Sequence, residues 1–290
     1  MDVSSPLSVS IVGCGWAGLP LGRALAQAGH TVRGSTTRSE RTDVLKQAGI
    51  EPFVTRLTPG PTPSVADLFA SDVLVCTVPP GRSNATDDVS KEVYQAQISA
   101  LIDTAQAHNV PYVVYLSSTG VYPPTNGPVT EDAFDPRTPE AYPPPKRPTA
   151  QSVRAAEHIV HAAYPTASLL VRLGGLFGPG RHPGRFIAGR TDVARPHAPV
   201  NMVHQTDVVG AVQHLITRQA TGPVNVVAPD HPTRQAFYIA AAASYDGAPP
   251  TFAEPEGGAG KRVMSTKLTT THEYTFTYPD PIEALDALAA

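Results

Sequence analysis

The chain has 290 residues, 41% of them hydrophobic and 16% charged, with a formal net charge of −3. That is enough apolar chain to bury a core, and it excludes a long disordered protein, which needs low hydrophobicity and high net charge. The charge balance gives no footprint for nucleic acid or an anionic membrane, and no apolar run approaches the roughly 20 residues of a membrane helix.

Proline, at 31 residues, and glycine, at 23, predict many rigid loops. The N-terminus carries no basic region ahead of an apolar stretch, so no signal peptide is expected. Cys14 and Cys76 are too few for a disulfide framework. They sit in strand-like apolar contexts and read as reduced core thiols of a cytoplasmic protein.

Short apolar runs alternate with helical patterns along the chain. Val9–Val12 predicts a first strand. Leu19–Ala28 predicts a helix, with Leu21, Leu25 and Ala28 on one face and Gly29 as its stop. Thr31–Arg33 is a second strand, Arg41–Ala48 a second helix, and Pro52–Val54 a short third strand. Asp72–Val78 is a fourth strand, stopped by Pro79-Pro80. A long helix follows over about 89–108, then an almost wholly apolar fifth strand at Tyr112–Leu116. Continuous apolar strands suit a parallel sheet covered on both faces. From Pro123 to Pro148 the pattern stops, with nine prolines. Thr149–Tyr164 is helical again, Ser168–Val171 a sixth strand, Thr206–Arg218 a helix, Val224–Val227 a strand and Thr233–Ser244 a helix. Gly174–Pro199 is rich in glycine, proline and arginine, and the tail from Tyr245 reads as irregular. The alternation predicts an α/β protein with a doubly wound parallel sheet.

Gly13-Cys14-Gly15-Trp16-Ala17-Gly18 follows the first strand and opens the first helix. In that context a G-x-G-x-x-G predicts dinucleotide binding. Gly13 permits the tight turn, Gly15 lets the backbone approach a pyrophosphate, and Gly18 lets helix and strand pack closely. The helix N-terminus offers unpaired N–H groups to the anion, with Trp16 and Ala17 in the same loop. An NAD site wants an acid at the end of the second strand, whereas arginine suits a 2′-phosphate. Here the chain runs Arg33-Gly34-Ser35-Thr36-Thr37-Arg38, with no acid before Glu40. Ser35, Thr36, Thr37 and Arg38 are therefore expected at the cofactor, and NADP(H) is favoured over NAD(H). Thr77, Val78 and Pro79 end the fourth strand and are expected beside it.

Three further segments converge on one family. Leu116-Ser117-Ser118-Thr119-Gly120-Val121-Tyr122 resembles the "SS-x-x-VY" segment of extended short-chain dehydrogenases/reductases. Arg172 to Gly180 resembles their "R-x-x-x-x-[YF]-G-P-G", and Val203-His204-Gln205-Thr206-Asp207 their "[IV]-H-x-x-D". The closest resemblance is to the atypical, epimerase/dehydratase-like branch, whose members often open with "G-C-G-W" and have no catalytic tyrosine. It implies a Rossmann-type doubly wound sheet with a small interleaved C-terminal substrate lobe. The dinucleotide-binding domain is expected over 1–173 plus 202–227 and the lobe over 174–201 plus 228–290. The resemblance also implies that the two long helices pair into a homodimer.

The family's chemistry uses a Ser/Thr, a Tyr and a Lys, and the hydroxyl carries over to Ser118, with Thr119 as its neighbour. The Tyr-x-x-x-Lys does not carry over. Counting back from the acid Glu157 lands on Thr149 and Val153, neither of which can relay a proton. A literal match, Tyr142 to Lys146, encloses three prolines, which exclude a helix interior. Tyr142 remains a candidate that reaches the site from its loop. Arg181, Arg185 and Arg190 suit a phosphate or carboxylate, or a solvated mobile loop. His204 is a substrate-side candidate or a packing residue, and Asp207 a helix cap. His158-x-x-His161 lacks a third ligand at useful spacing, so no metal is expected. The expected function is an NADP(H)-dependent oxidoreductase or epimerase-like enzyme on a small polar substrate. The alternative is a non-catalytic NADP(H)-binding redox sensor or partner-binding protein.

Overall fold

The computed structural model describes residues 5–60, 65–81, 87–253 and 260–288, with side chains throughout except at 87–90. Residues 1–4 of the N-terminal stretch, and 254–259 and 289–290 of the tail, lie outside the described residues. The chain runs through β1 (Ser8–Val12), α1 (Gly18–Gln27), β2 (Thr31–Thr36), α2 (Thr42–Gln47), β3 (Ile50–Val54), β4 (Val73–Cys76), α3 (Asp87–Ala107) and β5 (Tyr112–Ser118). It continues through β6 (Gly127–Val129), α4 (Pro148–Ala163), β7 (Ser168–Leu173), β8 (Gly175–Phe177), α5 (Gly184–Ile187) and β9 (Met202–His204). Last come α6 (Gln205–Thr217), β10 (Gly222–Val226), α7 (Arg234–Ala243) and β11 (Lys261–Val263).

Seven strands form one sheet in the order β10-β7-β5-β4-β1-β2-β3. The pairs β1–β2, β1–β4, β2–β3 and β4–β5 are parallel. The chain winds outward from β1 to β3, then crosses over to β4 and winds the other way. This is the doubly wound Rossmann arrangement, and its winding reverses between β1 and β4, where open α/β sheets take their ligands. Every residue of β4 and β7 is buried, as strands covered on both faces require. Leu21 and Leu25 of α1 are fully buried, and Gly29, at φ +89°, ends the helix.

The chain divides into two compact units: Met1–Pro123, Phe134–Arg172 and Val212–Pro223, and then Pro124–Ala133, Leu173–Ala211 and Val224–Ala290. The second unit has its own core of Phe177, Val200, Phe237, Ala241 and Leu285. Within it β8 pairs with β9 and α5 packs on α7, where Gly184 leaves room for the Ala241 carbonyl.

Structure appears in two stretches that read as patternless. The proline-rich segment contains β6, and the tail contains β11, which pairs with it in parallel. Gly260 N–H also bonds Asn126 Oδ1, 134 positions away in sequence. Three-residue strands are too short to display an alternation, and their pairing is set by distant chain.

Candidate functional site

The glycine loop is built around two positions that admit no side chain. Gly13 has φ +101°, and a Cβ there would lie 2.8 Å from both Thr77 Oγ1 and Val78 Cγ2. At Gly18 a Cβ would run into the Gly13 carbonyl. Gly15 is different: its nearest neighbour would be 3.9 Å away, so that face of the loop is open.

The loop is braced from below. Gly13 N–H donates to Ser35 Oγ and Cys14 N–H to Ser35 O, each at 2.9 Å. Thr77 Oγ1 donates to the Gly13 carbonyl. α1 has Ala17 at its N-cap and no side-chain cap. Leu19 N–H is taken by the Gly15 carbonyl and Pro20 has no N–H, so this end offers an anion the Gly18 N–H and the positive end of the helix. The loop thus fits a pyrophosphate: backbone donors, a positive helix end and no Cβ in the way. Trp16 and Ala17 are half-buried beside it. Burial pushes the Cys14 thiol up to about 12, against a smaller downward pull from Arg41.

At the end of β2, Ser35 and Thr36 are buried. Ser35 is committed to the loop, and Thr36 Oγ1 accepts the Arg38 N–H at 3.3 Å. Thr37 and Arg38 are exposed. Arg38 Nε lies 3.8 Å from Glu40, both side chains being more than half exposed. Such a pair holds its partners weakly. Sequence reasoning gave Arg41 no role beyond starting a helix, yet its charge is felt at Cys14 inside the glycine loop. The available signal was a second arginine three residues after Arg38, on one helical turn spanning Ser39–Arg41.

At the end of β5, Ser118 Oγ accepts the Gly120 N–H at 3.1 Å, so its own hydrogen remains to be given. Thr119 beside it is buried. A Cβ at Gly120 would sit 3.3 Å from Ala150, so the first turn of α4 packs against this corner. On α4, Thr149 is exposed and Val153 buried. Tyr142 lies ahead of the helix, its ring edge-on to Phe134 with centroids 5.3 Å apart. It lines a groove of about 390 Å³ with Lys91, Gln95, Glu140 and His158. Lys146 is exposed.

Behind this corner lies a dry ionic knot. Arg172 and Glu157 are both fully buried, with Nη2–Oε2 at 2.8 Å and Nε–Oε1 at 3.1 Å. Arg172 also donates to Tyr122 Oη and the Phe134 carbonyl, and Ser117 donates to Glu157. Arg154 lies over the Phe134 ring and donates to the carbonyls of Val121, Tyr142 and Pro143. Two arginines thus pin the proline-rich segment.

In the second unit, His204 is buried and its Nδ1 accepts the Thr206 N–H at 3.2 Å. Its ring stands edge-to-face against Phe177 and Tyr278. Burial lowers its pKa, and Asp207 pulls weakly the other way. Asp207 is fully buried and accepts from Thr277 N–H, Tyr278 N–H and Tyr274 Oη, so it staples the tail. Arg181, Arg185 and Arg190 are exposed. The backbone behind them is hydrogen-bonded: Gly189 to Ala248, Thr251 to Arg190 and Val193 to Thr251. Among the described residues no cluster of His, Cys, Asp and Glu has metal-ligand geometry, and no helix is long and apolar enough to cross a membrane.

The profile of the NAD-dependent epimerase/dehydratase family matches residues 9–226. Protein YeeZ of Escherichia coli strain K12 is 35% identical over 282 residues, covering 94% of this chain and 97% of its own. Among solved structures, UDP-glucuronic acid 4-epimerase from Bacillus cereus, in complex with NAD, superposes with a TM-score of 0.77 at 13% identity. The match covers 97% of this chain and 95% of that one. MoeE5 in complex with UDP-glucose and NAD gives 0.75 at 18% identity, covering 97% of each chain.

Proposed function

The chain belongs to the NAD-dependent epimerase/dehydratase family, and from that premise we propose that it is an NADP(H)-dependent oxidoreductase or epimerase-like enzyme acting on a small polar, anionic substrate. One observation carries the choice of cofactor. The chain after β2 presents Arg38 to solvent, with Arg41 one helical turn on and near enough for its charge to act on Cys14, and the hydroxyls of Ser35 and Thr36 are turned inward. That suits a 2′-phosphate better than a ribose diol, which wants a carboxylate. Gly13, Gly15, Trp16, Ala17 and Gly18 would hold the pyrophosphate. Thr37, Arg38 and Arg41 would hold the adenosine ribose, with Ser35 and Thr36 beneath, and Thr77, Val78 and Pro79 would line the path to the nicotinamide. A dinucleotide bound there supplies reversible hydride transfer.

The chain's own part is orientation and hydrogen bonding. Ser118 gives its remaining hydrogen to the substrate oxygen, with Thr119 beside it. Tyr142 or solvent exchanges the proton that a helical tyrosine exchanges elsewhere in the family. Arg181 and Arg185 recognise a phosphate or carboxylate on the substrate, with His204 as a further contact. The UDP-glucose bound to MoeE5 is of this polar, anionic kind. The same reading has the enzyme working in the cytoplasm, its two buried thiols reduced, as a homodimer through α3 and α4.

Titration with NADPH and NADH tests the cofactor half: NADPH should bind more tightly, and Arg38→Ala should erase the difference. Ser118→Ala should then lower turnover by about 10²–10³ with cofactor affinity unchanged. A second reading, a non-catalytic NADP(H)-dependent redox sensor, is favoured by Thr149 and buried Val153 at the positions of the family's Tyr and Lys. Cofactor binding without turnover on any carbonyl, together with a partner that prefers one redox state, would select it.

A further inference from the structure

Just past β4, Thr77 bonds back to β1 and the glycine loop, its N–H donating to the Val12 carbonyl at 3.0 Å and its Oγ1 to the Gly13 carbonyl. β4 ends at Cys76, so the Val78 carbonyl lies beyond the strand, and Pro79 and Pro80 follow with no N–H to give. Yet this is the segment that touches the glycine loop: the Val78 side chain and Thr77 fill the space a Gly13 Cβ would need.

The Val78 carbonyl, one residue further on, is held by a phenol of α3 that a second phenol backs. Tyr94 of α3 is buried, and its Oη donates to the Val78 carbonyl at 2.8 Å. Its oxygen also lies 2.9 Å from Tyr115 Oη. A phenol has one hydrogen, so with Tyr94's given to Val78 the hydrogen between the two rings is Tyr115's. The chain of donation therefore runs Tyr115 to Tyr94 to Val78, from the centre of the sheet to its carboxyl end. Burial raises the pKa of both phenols, so both are protonated around neutral pH.

We propose that Tyr94 is a cofactor-positioning residue: its hydroxyl fixes the Val78 carbonyl, and through it the wall of the glycine loop against which the dinucleotide lies. The inference rests on the dinucleotide reading above and adds to it a residue that lies outside the glycine motif and the end of β2. The molecule provides its own comparison. Tyr112, also buried, donates to the Ala220 carbonyl from the first residue of β5. That is the amino end of the strand, away from the ligand-binding edge. Tyr112 should contribute stability without touching affinity.

The test compares Tyr94→Phe, Tyr115→Phe and Tyr112→Phe in the full chain by NADPH fluorescence titration and thermal melting. Tyr94→Phe should raise the dissociation constant about tenfold and shift the nicotinamide emission. Tyr115→Phe leaves the Val78 bond in place and should change affinity by no more than about threefold. Tyr112→Phe should lower the melting temperature at unchanged affinity. Unchanged NADPH affinity in Tyr94→Phe, or equal losses in Tyr94→Phe and Tyr112→Phe, would overturn the proposal. Wild-type protein that binds neither NADPH nor NADH would instead sink the dinucleotide reading on which it rests.

Discussion

The glycine loop and the Arg172 knot are both built from residues of family motifs, and physically they are opposites. Around Gly15 the backbone is open on one side, and the first N–H groups of α1 have no side-chain cap. Around Arg172 the guanidinium donates to two carboxylate oxygens, a phenol and a carbonyl, with no solvent exposure. A solvent-facing polar edge can exchange water for a ligand, whereas a buried, hydrogen-bonded ion pair stabilises only while both partners are intact. Motif membership alone does not separate an open, solvent-facing loop from saturated scaffold, but hydrogen-bond accounting does.

The largest effect should come from breaking the knot. Arg172→Met strands the Glu157 carboxylate in a dry core and should cost about 3–5 kcal/mol of stability by urea unfolding. Adding Glu157→Met should recover part of that loss, because the stranded charge is removed as well. If the single and double variants are equally unstable, the knot acts through packing alone.

The loop should behave in the opposite way. Gly15→Ala meets nothing closer than 3.9 Å and should leave the melting temperature almost unchanged. It should nonetheless cut NADPH affinity by about tenfold or more, because the new methyl occupies the anion's approach. A smaller and more selective loss is expected at the end of β2. Arg38→Ala should weaken NADPH by about five- to tenfold, or about 1 kcal/mol, and leave NADH untouched. Arg41→Ala should repeat that selectivity. Equal losses for both dinucleotides would place the arginines at the pyrophosphate instead.

How much of this was legible in the sequence follows the same division. The strands and helices of the sheet could be read because burial on two faces writes long apolar runs, as in Val73–Cys76 and Ser168–Leu173. The glycine loop could be read because Gly13 and Gly18 answer local steric demands and Gly15 completes their spacing. β6 and β11 could not, since their partners are set by chain far away. Nor could the commitment of Ser35 to the Gly13 amide: a serine at the end of a strand looks the same whether its hydroxyl faces a ligand or a loop. Arg154 and Arg172 illustrate the general difficulty. Arginine composition suggests anion binding, yet these two are consumed by carbonyls, aromatic rings and Glu157.

The mildest prediction separates the two roles offered for His204. Its ring is enclosed by Phe177 and Tyr278, and burial holds its pKa below the ordinary value of 6.5. The unfolded chain therefore takes up a proton near 6.5 that the folded chain refuses. Stability should be level above that pH and fall as the pH drops below it, until the depressed folded value is reached. His161, His182 and His231 are shifted in the same direction, so His204→Phe should make the slope between pH 7 and pH 5 shallower without flattening it. If His204 only packs, the variant melts with that altered slope and turns over as the wild type does. If the imidazole meets substrate, KM rises while the slope changes by the same amount, because a phenyl ring reproduces the aromatic contacts and not the N–H.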